Sequence, residues 1–110
     1  MRRHLDRLQD ILAAISKIEE AYSRGKTAFD ADELLQVWMV HHLMIIGEAV
    51  RSIDPAIKLK HPEVQWRDIG AMRNVIVHDY FRINKQIVWD TVEKDIPALK
   101  AKIIDILKNA

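Results

Sequence analysis

Cysteine is absent from the 110 residues, and glycine and proline occur only three times each. The first absence excludes a disulfide scaffold, a thiolate zinc site and a cysteine nucleophile, and it suits a reducing compartment, so cytoplasm is the expected location. The scarcity of turn formers matters too. There is no Asn-Gly or Asp-Gly dipeptide, and no segment alternates apolar and polar residues long enough to read as a strand. No stretch of about 18 apolar residues occurs, and Met1-Arg2-Arg3-His4-Leu5-Asp6 opens directly into a charged pattern, so neither membrane spanning nor secretion is expected. A Gly-rich phosphate loop, a His-Glu-x-x-His pair and an Asp-x-Asp calcium loop are also missing, and no metal or cofactor is expected.

What is present is a chain 49% hydrophobic and 30% charged, which predicts one small domain over residues 1–110 with a single core. Leu5, Leu8, Leu12, Ile15, Ile18 and Tyr22 recur at spacings of three and four, the stripe of an amphipathic helix that Gly25 would stop. Asp30 and Glu33 have capping-box spacing for a second helix from Ala31 to about Ile53. That helix is apolar on more than one side, as expected either for the centre of a bundle or for a helix shared between the core and a partner chain, and Gly47 and Ala49 allow close backbone approach. Pro55 and His61-Pro62 mark a connection. A third helix is predicted from about Trp66 to Asp79, and a fourth begins near Asn84 as cap and runs through Leu107. At Pro97 the last helix either kinks or restarts with Asp95 as cap. The fold class is all-α, an up-and-down bundle of four to five helices.

Charge is unevenly spread although 17 basic residues nearly balance 16 acidic ones. Residues 27–57 carry one Arg and five acids, whereas residues 58–85 carry six Lys or Arg against three acids. Within the second stretch lies Trp66-Arg67-Asp68-Ile69-Gly70-Ala71-Met72-Arg73-Asn74-Val75-Ile76-Val77-His78-Asp79-Tyr80. Wound as a helix it buries Ile69, Met72 and Ile76, with Asn74 and His78 about 40° apart and Arg73 and Tyr80 about 20° apart. Arginine is a permanent planar cation that forks onto phosphate, and histidine moves protons near neutral pH, so the group suits phosphodiester chemistry. The bland reading is that Arg73 pairs with an acid of a neighbouring helix while His78 and Tyr80 close a turn.

Other candidates are weaker. His41 and His42 point about 100° apart on a helix and cannot chelate one metal together without further ligands, and Glu48 alone does not complete a set. Among Trp38, Met39, Val40, Leu43 and Met44 they read as helix-packing or interface histidines, and Trp38, Met39, Met44 and Trp89 read as core filler.

The segment Arg73 to Tyr80 is similar to the Arg-x4-His-x-Tyr motif of the HEPN superfamily, in its HepT-like branch. Ile45-Ile46-Gly47-Glu48-Ala49, the approach from Pro62 to Trp66, Met72-Arg73-Asn74, Val88-Trp89 and Ile96-Pro97 match the same branch in order and spacing. The resemblance covers nearly the whole chain. It implies a small helical homodimer acting as a metal-independent ribonuclease toxin, with Arg73 and His78 catalytic and Asn74 supporting. It also implies a partner, a minimal nucleotidyltransferase antitoxin that adenylylates Tyr80.

Metal-free RNA cleavage needs a base for the 2′-hydroxyl, an acid for the leaving 5′-oxygen and a cation at the phosphorus. One chain offers one suitable histidine, so a two-fold dimer with both copies of His78 and Arg73 in one cleft would supply acid and base from opposite subunits. The competing class is a non-catalytic helical subunit that binds a nucleotide or a nucleotidyltransferase partner, with Arg73 and His78 serving recognition.

Overall fold

Leu8, Ile11, Ile15 and Ile18 are fully buried along one stripe of helix α1 (Arg2–Tyr22), as their spacing requires. In the computed structural model, which describes residues 2–72, 77–79 and 82–110 with the side chains of 2–4, 77–79 and 82 excepted, α1 packs most extensively on α3 (Glu33–Arg51). Met39, Leu43 and Ile46 of α3 close the core from the other side with no exposure at all. The third wall is a run of helix from α6 (Lys85–Asp90) through a π-helical turn (Thr91–Asp95) into α7 (Ile96–Lys108), whose Ile96, Leu99, Ile103 and Ile106 are buried. The fold is all-α, with one short strand pair in addition.

Three boundaries depart from the sequence expectations. Gly25 does not simply stop α1: after Tyr22 the chain turns through Ser23 and Arg24, and Gly25, at φ +88°, opens a short helix α2 (Gly25–Ala31) that buries Phe29. A left-handed φ of that kind is open to glycine at little cost. The cap of α3 is Asp32, whose carboxylate accepts the Leu34 N–H at 2.9 Å, while Asp30 is occupied by Lys26 at 2.8 Å. The stretch marked by Pro55 is itself a helical turn, α4 (Pro55–Lys60), with proline at its start and Asp54 accepting the Ala56 N–H at 2.8 Å.

The larger correction concerns the third helix. It begins at Trp66 as expected, but α5 spans only Trp66–Gly70. Val77–Asp79 is strand β1, paired antiparallel with β2 (Arg82–Ile83), with Val77 opposite Ile83, Asp79 opposite Arg82 and an irregularity between. Val77 is β-branched, which favours extended backbone, and its pairing with Ile83 holds it in a strand rather than a helix. A helical wheel drawn across the motif cannot run through His78, which stands in a strand, while Arg73, Asn74 and Tyr80 lie outside the described residues.

At Pro97 the helix does not restart from a cap: the backbone stays helical through Asp95 and Ile96, and the π-helical turn leads directly into α7. The Ile96 N–H bonds the Thr91 carbonyl, five residues back, and Pro97 then occupies the first turn of α7, where its missing N–H costs no bond. Asp95 holds the cap position without making a side-chain cap bond.

Candidate functional site

The motif lies between two fixed ends, α5 before it and α6 after it. Trp66 anchors the first: its indole is buried and donates to the His61 carbonyl at 2.9 Å, while Lys102 of α7 donates to the Glu63 carbonyl at 2.8 Å. The last turn of α5 then rests on α3 at Gly47, where a Cβ would stand 3.5 Å from the Ile69 carbonyl oxygen and 3.8 Å from that of Gly70. This is the close approach that Gly47 was expected to allow. At the other end, the Asn84 side chain accepts the Ile87 N–H at 3.1 Å and caps α6, as its position predicts. Helix α6 is in turn held by Trp89, whose ring lies 4.9 Å from Tyr22 and 5.3 Å from Phe29.

Of the sequence-derived site residues, Arg73, Asn74 and Tyr80 lie outside the described residues. His78 is the central residue of β1 by its backbone, and its side chain also lies outside the description. What the structure adds is the ground on both sides of α5. On one side, Gln65, Asp68, Ile69 and Met72 face Thr91, Asp95, Leu99 and Lys102 across a cavity of about 310 Å³. The π-helical turn contributes Thr91 and Asp95 to it. On the other side, Arg51, Lys58 and Arg67 line a groove of about 390 Å³ floored by Val50, Trp66, Gly70 and Ala71. The charge count pointed to Lys58 and Arg67. Arg51 carries no local signal, because only tertiary packing lays it across Gly70.

Of the paired histidines of α3, His42 is a packing group. His42 is buried, its Nδ1 stands 2.7 Å from the Trp38 carbonyl, and its ring lies 4.6 Å from the Trp38 indole. A carbonyl oxygen only accepts, so Nδ1 carries the proton. His41 is exposed, and among the described residues no three His, Asp or Glu side chains converge as a metal-ligand set. Trp38 is 40% exposed rather than core, and donates to the Lys17 carbonyl at 2.8 Å. Leu34 and Val37 on the same helix are also exposed.

A helical bundle with a short strand pair between two anchored helices is the class defined here. The model of the family described as Ribonuclease HepT-like matches residues 11–106, and the chain belongs to that family. It is 39% identical over 109 residues to a protein of Thermococcus cleftensis named "Probable ribonuclease HepT", covering 97% of this chain and 98% of that one. It is 39% identical over 81 residues to "Putative RNase TTE0752" of Caldanaerobacter subterraneus subsp. tengcongensis, covering 74% and 72%. A third relative, "Putative RNase MJ1380" of Methanocaldococcus jannaschii, is 32% identical over 97 residues, covering 87% and 89%. No solved structure matches the chain significantly.

Proposed function

We propose that this protein is a metal-independent endoribonuclease in which Arg73 and His78 carry the chemistry and Asn74 supports them. The observation behind the reading is the Arg73-x4-His78-x-Tyr80 spacing, set between α5 and α6 in a chain of the HepT-like family. The names of the relatives, one "Probable ribonuclease HepT" and two "Putative RNase", support the substrate class.

The reaction needs no group from outside the two chains and the RNA. One His78 removes the 2′-hydroxyl proton, O2′ bonds to phosphorus, and the P–O5′ bond breaks as a second His78 gives its proton to the leaving oxygen. Arg73 neutralises the charge that builds on the non-bridging oxygens of the phosphorane-like transition state. The products are a 2′,3′-cyclic phosphate and a 5′-hydroxyl, and DNA is inert for want of the nucleophile. Two histidines require a homodimer with the motif segments near its axis, and the exposed Leu34, Val37 and Trp38 supply apolar surface for one. The protein acts in the cytoplasm as the toxin of a pair. Its antitoxin is a minimal nucleotidyltransferase that silences it by adenylylating Tyr80.

The test is RNA incubated with purified wild type and His78→Ala in the presence of EDTA. Wild type cleaves, and the variant loses on the order of 10² to 10⁴ in rate. Arg73→Lys keeps the charge but loses the fork and is impaired as well. Normal cleavage by His78→Ala, or activity abolished by EDTA, overturns the assignment. Binding without cleavage by wild type identifies the non-catalytic subunit instead.

A further inference from the structure

The groove beside α5 has one sign of charge. Its charged lining residues are Arg51, Lys58 and Arg67, and no carboxylate shares it. Among the described residues neither Lys58 nor Arg67 is ion-paired. Arg51 reaches Glu48 only at 3.8 Å, with both side chains at least half exposed, a pairing too weak to hold the guanidinium against a better ligand. The Arg51 side chain lies across Gly70, its Cγ 3.6 Å from where a Cβ would stand, so α3 delivers a cation directly over the end of α5. Lys58 comes from α4 and Arg67 from α5 itself. Three elements thus contribute one cation each to a channel whose floor, Val50, Trp66, Gly70 and Ala71, is apolar or bare backbone.

We infer that this groove binds the phosphodiester backbone of single-stranded RNA flanking the bond that is cut, with Arg51, Lys58 and Arg67 as phosphate ligands. The inference rests on the ribonuclease reading for its choice of ligand. Its floor ends at Ala71, two residues before Arg73 in the chain. An open groove with three cations, no carboxylate and an uncharged floor fits the backbone of a polyanion, in the way basic grooves track single strands.

The experiment measures binding separately from cleavage. A single-stranded RNA of about 20 nucleotides and mixed sequence, with 2′-O-methyl riboses to block the nucleophile, is titrated with the full chain at several salt concentrations. Each phosphate contact on a single strand contributes roughly 0.7 to the slope of log Kd against log salt. Arg51→Gln, Lys58→Gln and Arg67→Gln should each lower the slope by about that amount, and the triple variant by about 2, with binding near 0.1 M salt weakened on the order of 10²-fold. Lys108→Gln, on exposed surface at the end of α7, should leave the slope unchanged. If the three single variants bind with wild-type affinity and slope, the assignment is wrong. Poly-L-glutamate competing as well as RNA at equal charge also overturns it, in favour of an acidic protein partner. The two readings fail separately. Wild type that cleaves unmodified RNA while the groove variants keep their slope leaves the nuclease and removes the groove, whereas groove-dependent binding without any cleavage leaves the groove and removes the nuclease.

Discussion

The Ile69 carbonyl oxygen lies 3.5 Å from where a Cβ on Gly47 would stand, so the last turn of α5 is seated on bare backbone of α3. That distance is ordinary van der Waals contact, and one methyl group fits it. Gly47→Ala should therefore keep the fold and gain roughly 0.5–1 kcal/mol of helix propensity. Gly47→Leu has no room and must lift α5, at a cost of about 1–3 kcal/mol, and with it the start of the motif segment. Thermal unfolding and RNA cleavage measured together check this. Full activity and stability in Gly47→Leu would mean that the seating of α5 does not position the motif.

The long helices were legible because their cores repeat at helical spacing: Leu8, Ile15 and Ile18 of α1 and Leu43 and Ile46 of α3 are buried where the pattern puts them. Gly47 and Asn84 were legible for the same local reason, one lacking a side chain in an apolar helix and the other standing at a cap position. The end of α5 was not. Nothing local in Ile69-Gly70-Ala71-Met72 stops a helix firmly, and the strand at Val77–Asp79 depends on a partner, Arg82–Ile83, that pairs only once the chain has turned back. The cap of α3 falls at Asp32 rather than Asp30 because Asp30 is itself inside α2, a short helix that the spacing of apolar residues does not announce. The groove cation Arg51 was not legible, because its place over Gly70 is a long-range contact.

Acid should act on the loop that carries α5. The Glu63 carboxyl is held below its ordinary value of 4.5, chiefly by its own backbone N–H and then by His61 at 3.2 Å, against an opposing effect of burial. A carboxyl lowered in the fold contributes stability above its unfolded value and loses it as pH falls through the folded one. Glu63→Gln should accordingly lower the urea midpoint at pH 7, and the gap from wild type should close as the pH falls below 4.5. A gap that stays constant down to the acid transition would show that the carboxylate charge contributes nothing.

The composite site requires a dimer. Light scattering should report about twice the chain mass of 12.8 kDa. Leu34 is 79% exposed and Val37 48% exposed, so replacing both by glutamate breaks no core contact yet charges the apolar face of α3. The double variant should run as a monomer with unchanged helix content and should lose RNA cleavage. A monomeric wild type at micromolar concentration, or a monomeric variant that cleaves normally, would remove the requirement for two copies of His78.

The proposed regulation would act at Tyr80, two residues after His78. Transfer of AMP from a nucleotidyltransferase would join the phenolic oxygen to the α-phosphorus of ATP and release pyrophosphate. The product carries a phosphate charge and a bulky nucleoside close in sequence to Arg73. The charge competes for the cation that the RNA phosphate needs, and the nucleoside obstructs the cleft, so two independent effects oppose substrate binding. Intact-mass measurement after co-expression with a minimal nucleotidyltransferase should show additions of about 329 Da each, localised to Tyr80 and absent in Tyr80→Phe. Tyr80→Phe should keep its cleavage activity in the presence of the active transferase, whereas wild type should lose it. Equal cleavage by modified and unmodified protein, or mass additions that persist in Tyr80→Phe, would place the control elsewhere on the chain.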